Sequence, residues 1–192
     1  MVQRPGSARA VLFSDAGEAM RVWIIGSAGA GKSALGGELA RHFAVPHHEL
    51  DASYWMANWT ARPAADFVDR VRAIAAGDAW IVDGNYTAAE PVLHDRAQIL
   101  LWIDLPFRLT YPRVIRRTWR RLVTRETLWS GNRESLRNIV ARDGMPAYAL
   151  FKHRRNTRRH LGYWERFARP KRRLVRPDHL AVDAIAACSE LR

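Results

Sequence analysis

Eight residues set most of the limits on this chain: Gly26, Ser27, Ala28, Gly29, Ala30, Gly31, Lys32 and Ser33 fit G-x-x-x-x-G-K-[ST] at every position. A loop of this composition folds so that successive backbone N–H groups point inward and cradle an anion. At this spacing Lys32 reaches the β and γ phosphates of a polyphosphate, and the Ser33 hydroxyl is offered to Mg²⁺. The helix that follows turns its positive N-terminus, from Ala34 onward, toward the same anion. The loop needs a strand before it and a helix after it. Arg21 to Ile25 is a short apolar run of β type, and Lys32 to Phe43 puts Leu35, Leu39 and Phe43 on one helical face.

The pattern continues as alternating strands and helices. Val45 to Leu50 reads as a second strand ending at Asp51. Thr60 and Pro63 mark the start of a helix whose apolar face is Phe67, Val71, Ile74 and Ala75. Trp80 to Val82 is a third strand, ending at Asp83-Gly84, and Ala97 to Ile103 a fourth, ending at Asp104. Continuous apolar strands separated by helices predict a parallel sheet buried on both faces. The back half reads as helical. Ile115, Trp119 and Leu122 form the expected buried stripe of one helix, which Pro112 starts or kinks and Gly131-Asn132 ends. Further helices are expected over Glu134 to Val140 and Ala147 to Phe167. Leu174-Val175 is the last strand, and Asp178 caps a final helix. The expectation is one α/β domain of three layers over residues 20–192, with residues 1–19 as an extension outside the pattern, read as disordered.

Composition excludes several classes. With 48% hydrophobic and 26% charged residues over 192, the chain can build a core and is not intrinsically disordered as a whole. Ile99 to Ile103 is its longest notable apolar run, far below the roughly 20 residues of a membrane-spanning helix. Cys188 is the single cysteine, so intrachain disulfides and cysteine-rich zinc sites are out. With no signal-peptide pattern, a cytoplasmic location is expected. The histidines do not make a metal site: His47 and His48 are adjacent and point to opposite sides of a strand.

Charge is unevenly placed. Arg108 to Arg176 holds 21 basic and four acidic residues, and the other 123 residues are net negative. An arginine-rich half of this kind suits an anionic partner: a polyphosphate, a phosphorylated metabolite or a nucleic acid. A plain solvated basic face is the alternative.

The additional glycine at Gly29 gives G-x-x-G-x-G-K-S, and in this form the loop resembles that of small P-loop kinases such as the adenylate and shikimate kinases. Further segments resemble one subgroup, the adenylate-kinase-like DNA topology modulation (FlaR-type) proteins: Leu50-Asp51 with Tyr54-Trp55, the run Trp80 to Tyr86, Ile103 to Pro106, the arginine helix, and Leu128 to Glu134. The resemblance covers roughly residues 20 to 187. It implies a P-loop NTPase domain with five parallel strands ordered 2-3-1-4-5, a mobile acceptor-side region, and a helical, arginine-rich lid over about residues 120–137. It also implies ATP and Mg²⁺ as cofactors.

On that resemblance, Gly26 to Ala34 bind the nucleotide, and Asp51, at the carboxyl edge of the sheet, addresses an acceptor hydroxyl, either orienting it or taking its proton. An Asx turn or helix cap is the other reading of Asp51. Asp83 has a Walker-B-like placement and is assigned, with Ser33, to the metal shell in preference to Asp104. Gly84 is read as allowing close approach of an acceptor, and Tyr86 as touching it. Trp55 and Trp59 either stack a base or sugar or pack in the core. Lys32, Arg117, Arg121 and Arg133 are expected on the transferring phosphoryl group. Arg158 is a further candidate for substrate contact, and Pro177 for adenine.

The leading expectation is an ATP- and Mg²⁺-dependent phosphotransferase acting on a small acceptor such as a nucleotide or hydroxylated metabolite. The alternatives are a nucleotide-gated nucleic-acid-binding regulator, though no helix-turn-helix, zinc finger or RNA-binding signature is present, and a plain nucleotide hydrolase. No membrane partner is expected.

Overall fold

The computed structural model describes residues 20–140 and 144–190; the expected N-terminal extension, residues 1–19, lies outside them. Five parallel strands form the sheet: β1 (Arg21–Gly26), β2 (His47–Glu49), β5 (Trp80–Asp83), β6 (Ile99–Ile103) and β7 (Lys171–Leu174). Their order is β2-β5-β1-β6-β7, the 2-3-1-4-5 arrangement expected. β1 is central, with Ile24 opposite Asp83 on one side and Gly26 opposite Ile103 on the other. β2 sits at one edge, with Glu49 opposite Asp83. All the carboxylates that end strands therefore share one edge of the sheet with the glycine-rich loop.

The three inner strands β1, β5 and β6 bury alternate residues on opposite faces, which is why they read as apolar runs, whereas the edge strands β2 (His47–Glu49) and β7 (Lys171–Leu174) are polar and largely half-buried or exposed. Val22 and Ile24 pack with α1 (Lys32–Phe43) and α8 (Leu180–Ser189) through Leu35, Leu39 and Ala184. Trp23 and Ile25 pack on the other face with α3 (Ala64–Ala75), α4 (Glu90–Arg96) and α7 (Met145–Arg166) through Phe67, Leu93 and Tyr163. The result is the three-layer α/β domain. Among the described residues, no helix is long and apolar enough to cross a membrane.

Between β2 and α3 the chain makes a short helix α2 (Leu50–Tyr54) and a small antiparallel hairpin, β3 (Trp55–Met56) with β4 (Thr60–Ala61). None of these, nor α4, was expected, because elements of two to seven residues are too short to display a period. Thr60 lies in β4 and does not cap a helix; Pro63 is the N-cap residue of α3. The last strand is Lys171–Leu174 rather than Leu174-Val175, and His179, not Asp178, is the N-cap residue of α8.

The largest correction concerns α5 (Phe107–Thr124). The expected buried stripe is outside: Ile115 is 41% and Trp119 63% exposed. The buried residues are Thr110, Val114 and Thr118. This helix crosses directly over the glycine-rich loop, where a Cβ on Gly29 would come within 2.3 Å of the Thr110 carbonyl oxygen. Contact this close takes small side chains, and the adjoining inward positions are taken by Arg117 and Arg121. The helix runs past Pro112 and stops at Arg125, whose φ of 49° is left-handed, before Gly131 is reached. A helix α6 (Leu136–Val140) follows.

Candidate active site

The loop between β1 and α1 wraps the N-terminus of α1. Gly31 occupies the N-cap position at φ 100°, no side chain caps the helix, and its first turn holds no acidic residue. Its N–H groups are left for an anion, the arrangement that binds phosphate at helix N-termini. The Lys32 ammonium donates to the carbonyl oxygens of Gly26 (3.0 Å) and Ser27 (3.3 Å). Burial lowers the Lys32 pKa, and the Asp83 and Asp51 carboxylates oppose that shift. Asn85 clamps the start of the loop from the neighbouring strand end, accepting from Gly26 N–H (3.1 Å) and donating to Gly26 C=O (2.7 Å). Sequence reasoning missed Asn85, although it directly follows Asp83-Gly84.

Asp51 stands in the first turn of α2 and accepts a 2.6 Å hydrogen bond from the Tyr86 hydroxyl. Burial, followed by the Asp51 charge, drives the Tyr86 pKa far up, so the phenol stays protonated and donates. The Tyr86 ring packs against Tyr54 and Phe67 (centroids 4.4 and 5.1 Å), so the hydroxyl is held by an aromatic wall. Asp83 is buried and its Oδ2 lies 2.9 Å from His47 Nε2, a partner not foreseen. Gly84 is required by the packing of its own neighbours. Its φ is +142°, and a Cβ there would lie 2.7 Å from the Cβ of Leu50, the residue that starts α2. Asp104 accepts a hydrogen bond from Arg173 Nε, linking the end of β6 to β7.

The arginines divide by burial. Arg117 and Arg121 turn inward; the buried Arg117 Nε has no hydrogen-bond partner among the described residues, and Arg121 Nε lies 3.5 Å from the Glu126 carboxylate. Burial, then Arg121, lowers the Arg117 pKa against the opposing charges of Asp51, Glu134 and Glu49. Glu49 and Glu134 are raised, chiefly by burial. The charges of this arginine pair oppose the rise at Glu134. Arg133 is exposed; its Nε donates to Thr127 at 3.2 Å. Arg158 is also exposed, and its neighbour Arg159 makes the contacts, to Asn156 and Thr87. Pro177 is half-buried just beyond β7.

The Leu128 to Arg133 segment is docked on the small hairpin. The Asn132 side chain accepts from Trp59 N–H (2.9 Å) and donates to the carbonyls of Met56 (2.8 Å) and Trp129 (2.9 Å). Ser130 donates to the Trp55 carbonyl (2.7 Å), and Trp59 Nε1 donates to that of Arg133 (3.1 Å). Trp55 and Trp59 pack edge-to-face, as do Trp59 and Trp129, and the Arg121 guanidinium lies 5.7 Å over the Trp129 ring. The tryptophans thus form the seam between hairpin and docked segment.

Among the described residues, no three His, Cys, Asp or Glu side chains are grouped to hold a metal ion. Ser33 and Asp83 are both oxygen donors, which suits a hard cation that takes its remaining ligands from phosphates and water, as Mg²⁺ does. The donor set fits Mg²⁺ bound together with a nucleotide and not as a free-standing protein site.

No family model and no curated protein matches the chain. Solved structures do. A gluconokinase from Sinorhizobium meliloti 1021 superimposes with a TM-score of 0.55 at 16% identity, over 91% of this chain and 94% of that one. Shikimate kinase from Acinetobacter baumannii, solved in complex with shikimate, gives 0.55 at 15% identity over 90% and 95%. The Aquifex aeolicus shikimate kinase gives 0.53 at 15% over 89% and 97%. The fold is that of the small P-loop kinases. At these identities the likeness speaks to architecture, and the acceptor has to be argued from the residues themselves.

Proposed function

We propose that the chain is an ATP- and Mg²⁺-dependent phosphotransferase acting on a small hydroxylated acceptor. One observation carries the reading. An uncapped helix N-terminus with Lys32 faces a carboxylate, Asp51, held by Tyr86, and two inward arginines flank that space, Arg117 with no hydrogen-bond partner for its buried Nε among the described residues and Arg121 paired through its Nε with Glu126. A polyphosphate and a hydroxyl acceptor would each find their counterpart there.

In this reading the loop from Gly26 to Ala34 binds the phosphates, with Pro177 beside the base. Ser33 and Asp83 would hold Mg²⁺, which would supply charge to offset that of the phosphates. Asp51, with Oδ1 fixed by Tyr86, offers its other oxygen to the acceptor hydroxyl and takes its proton. Arg117 and Arg121 stabilise the charge on the transferring group, joined by Arg133 when residues 120–137 close as a lid. Closure brings the tryptophan seam over the site and excludes water, which favours transfer over hydrolysis. Residues 20–190 act as one domain. The likeness of several segments to topology modulation proteins adds no substrate to this reading.

A specific observation also favours a nucleic-acid role: Arg113, Arg116, Arg120, Arg154, Arg155 and Arg158 are exposed and do not converge on the site. Phosphate tracking by such a surface would weaken steeply with salt.

The test is ADP release from Mg·ATP across a panel of nucleoside monophosphates, nucleosides and polyhydroxylated carboxylates, with Lys32→Ala as control. Stimulation by one acceptor, lost in the variant, is the expected result. ATP binding with no stimulation by any acceptor would refute the kinase reading.

A further inference from the structure

Asp83 is the carboxylate assigned above to the metal shell, and it does not stand alone. His47 Nε2 lies 2.9 Å from Asp83 Oδ2, and both side chains are largely shielded from solvent. His47 lies two residues before the end of β2, opposite Ile81, so its ring reaches along the edge of the sheet to the end of β5.

The opposing helix makes room for this ring. Gly36 is buried in the interior of α1, where glycine costs about 1 kcal/mol relative to alanine. A Cβ there would come within 2.3 Å of His47 Nε2 and 2.7 Å of Cδ2, whereas a Cβ on the adjacent Gly37 would meet nothing within 4 Å. Gly36 is the glycine that the imidazole requires, and the contact falls on the nitrogen that bonds Asp83.

We infer that His47 is a positioning residue for the metal carboxylate. With a proton on Nε2 it donates to Asp83 Oδ2, fixes the plane of the carboxylate, and leaves Oδ1 as the oxygen turned to the cation and its water. Among the described residues Oδ1 takes no hydrogen bond. The Lys32 ammonium directs its own hydrogen bonds to the Gly26 and Ser27 carbonyls. Groups that orient a metal-binding carboxylate typically change metal affinity 10–100-fold when removed. The inference rests on the assignment of Asp83 to the metal in the proposed function.

The experiment is Mn²⁺ titration of the full chain with ADP, read by the paramagnetic signal of the bound ion, beside ADP affinity without metal. The variants are His47→Met, His47→Gln and Asp83→Asn. Glutamine can place its amide nitrogen near that of Nε2; methionine fills the space without a donor. His47→Met is expected to weaken Mn²⁺ by about 10–100-fold, with metal-free ADP affinity unchanged and His47→Gln close to the parent. If His47→Met binds Mn²⁺ like the parent while Asp83→Asn does not, the histidine only packs and the inference is overturned. Equal weakening by methionine and glutamine overturns it too, because the hydrogen bond is then not what matters. If Asp83→Asn itself binds Mn²⁺ normally, the metal assignment fails first. Should His47→Met not fold, Gly36→Ala reports on the same contact with the histidine retained: loss of Mn²⁺ affinity is expected, and parent-like affinity refutes the role.

Discussion

Removing the Asn132 side chain should release the docked Leu128 to Arg133 segment from the hairpin without unfolding the domain. Asn132 is 4% exposed, and its amide makes three hydrogen bonds to backbone groups, two of them across the seam to Trp59 and Met56. In Asn132→Ala the Trp59 N–H and Met56 C=O lose those partners. A buried backbone group left unpaired costs about 1–3 kcal/mol. Because this seam opens to water, the lower half of that range applies to each group, giving about 2–4 kcal/mol for the two. At 1.4 kcal/mol per factor of ten, exchange of the Trp59 amide hydrogen should accelerate by roughly 30- to 1,000-fold. Amides of β1 and β6 should keep their protection, since they belong to the central sheet. Asn132→Asp, which keeps the acceptor for Trp59 and loses both donors, should fall between. The assay is amide hydrogen exchange resolved to residues 55–61 and 128–134. Unchanged exchange at Trp59 would refute the reasoning, and so would equal loosening of the central strands.

Two further outcomes follow from buried polar groups. His160 is 1% exposed, its Nε2 has no hydrogen-bond partner among the described residues, and burial, reinforced by Lys32, depresses its pKa to about 3. An unfolded histidine titrates near 6.5, so the neutral form stabilises the fold above that value and the stability is lost as pH falls toward about 3, by at most about 1.4 kcal/mol per pH unit. Thermal melts of the parent between pH 7 and 4 should show this slope, and His160→Leu should flatten it; parallel slopes would count against the assignment. Tyr86→Phe removes the donor to Asp51 and keeps the aromatic wall. Hydrogen bonds to charged groups contribute about 1.5–3 kcal/mol, so turnover of the acceptor identified above should fall by roughly 10- to 150-fold with ATP affinity unchanged. A parent-like pH–rate profile and turnover would show that Tyr86 does not tune Asp51.

The parts of this protein legible in its sequence are those written contiguously. The loop from Gly26 to Ser33 needs one strand, one turn and one helix start, all within a dozen residues, and its glycines can be read for what they permit. The inner strands announce themselves because both faces are buried; Asp83 ends β5, and Asp51 comes two residues after β2, in the first turn of α2. The sheet order came from resemblance, and the observed order β2-β5-β1-β6-β7 agrees with it. What tertiary structure alone decided lies at long separation. His47 meets Asp83 across 36 residues, Asn85 meets Gly26 across 59, and Asn132 meets Trp59 across 73. A hydrogen bond between distant residues leaves no period, only unremarked polar residues and a mid-helix glycine, Gly36, whose reason appears when His47 arrives beside it. The face of α5 was misread for a related cause. Hydrophobic patterning assumes an apolar interior, and here the helix packs on the glycine-rich loop, so threonines and arginines turn inward and Ile115 and Trp119 are left in water. Local sequence determined where the candidate site is and which strands carry it; the assembled fold decided which polar groups aim into it, because only closed packing brings their partners within reach.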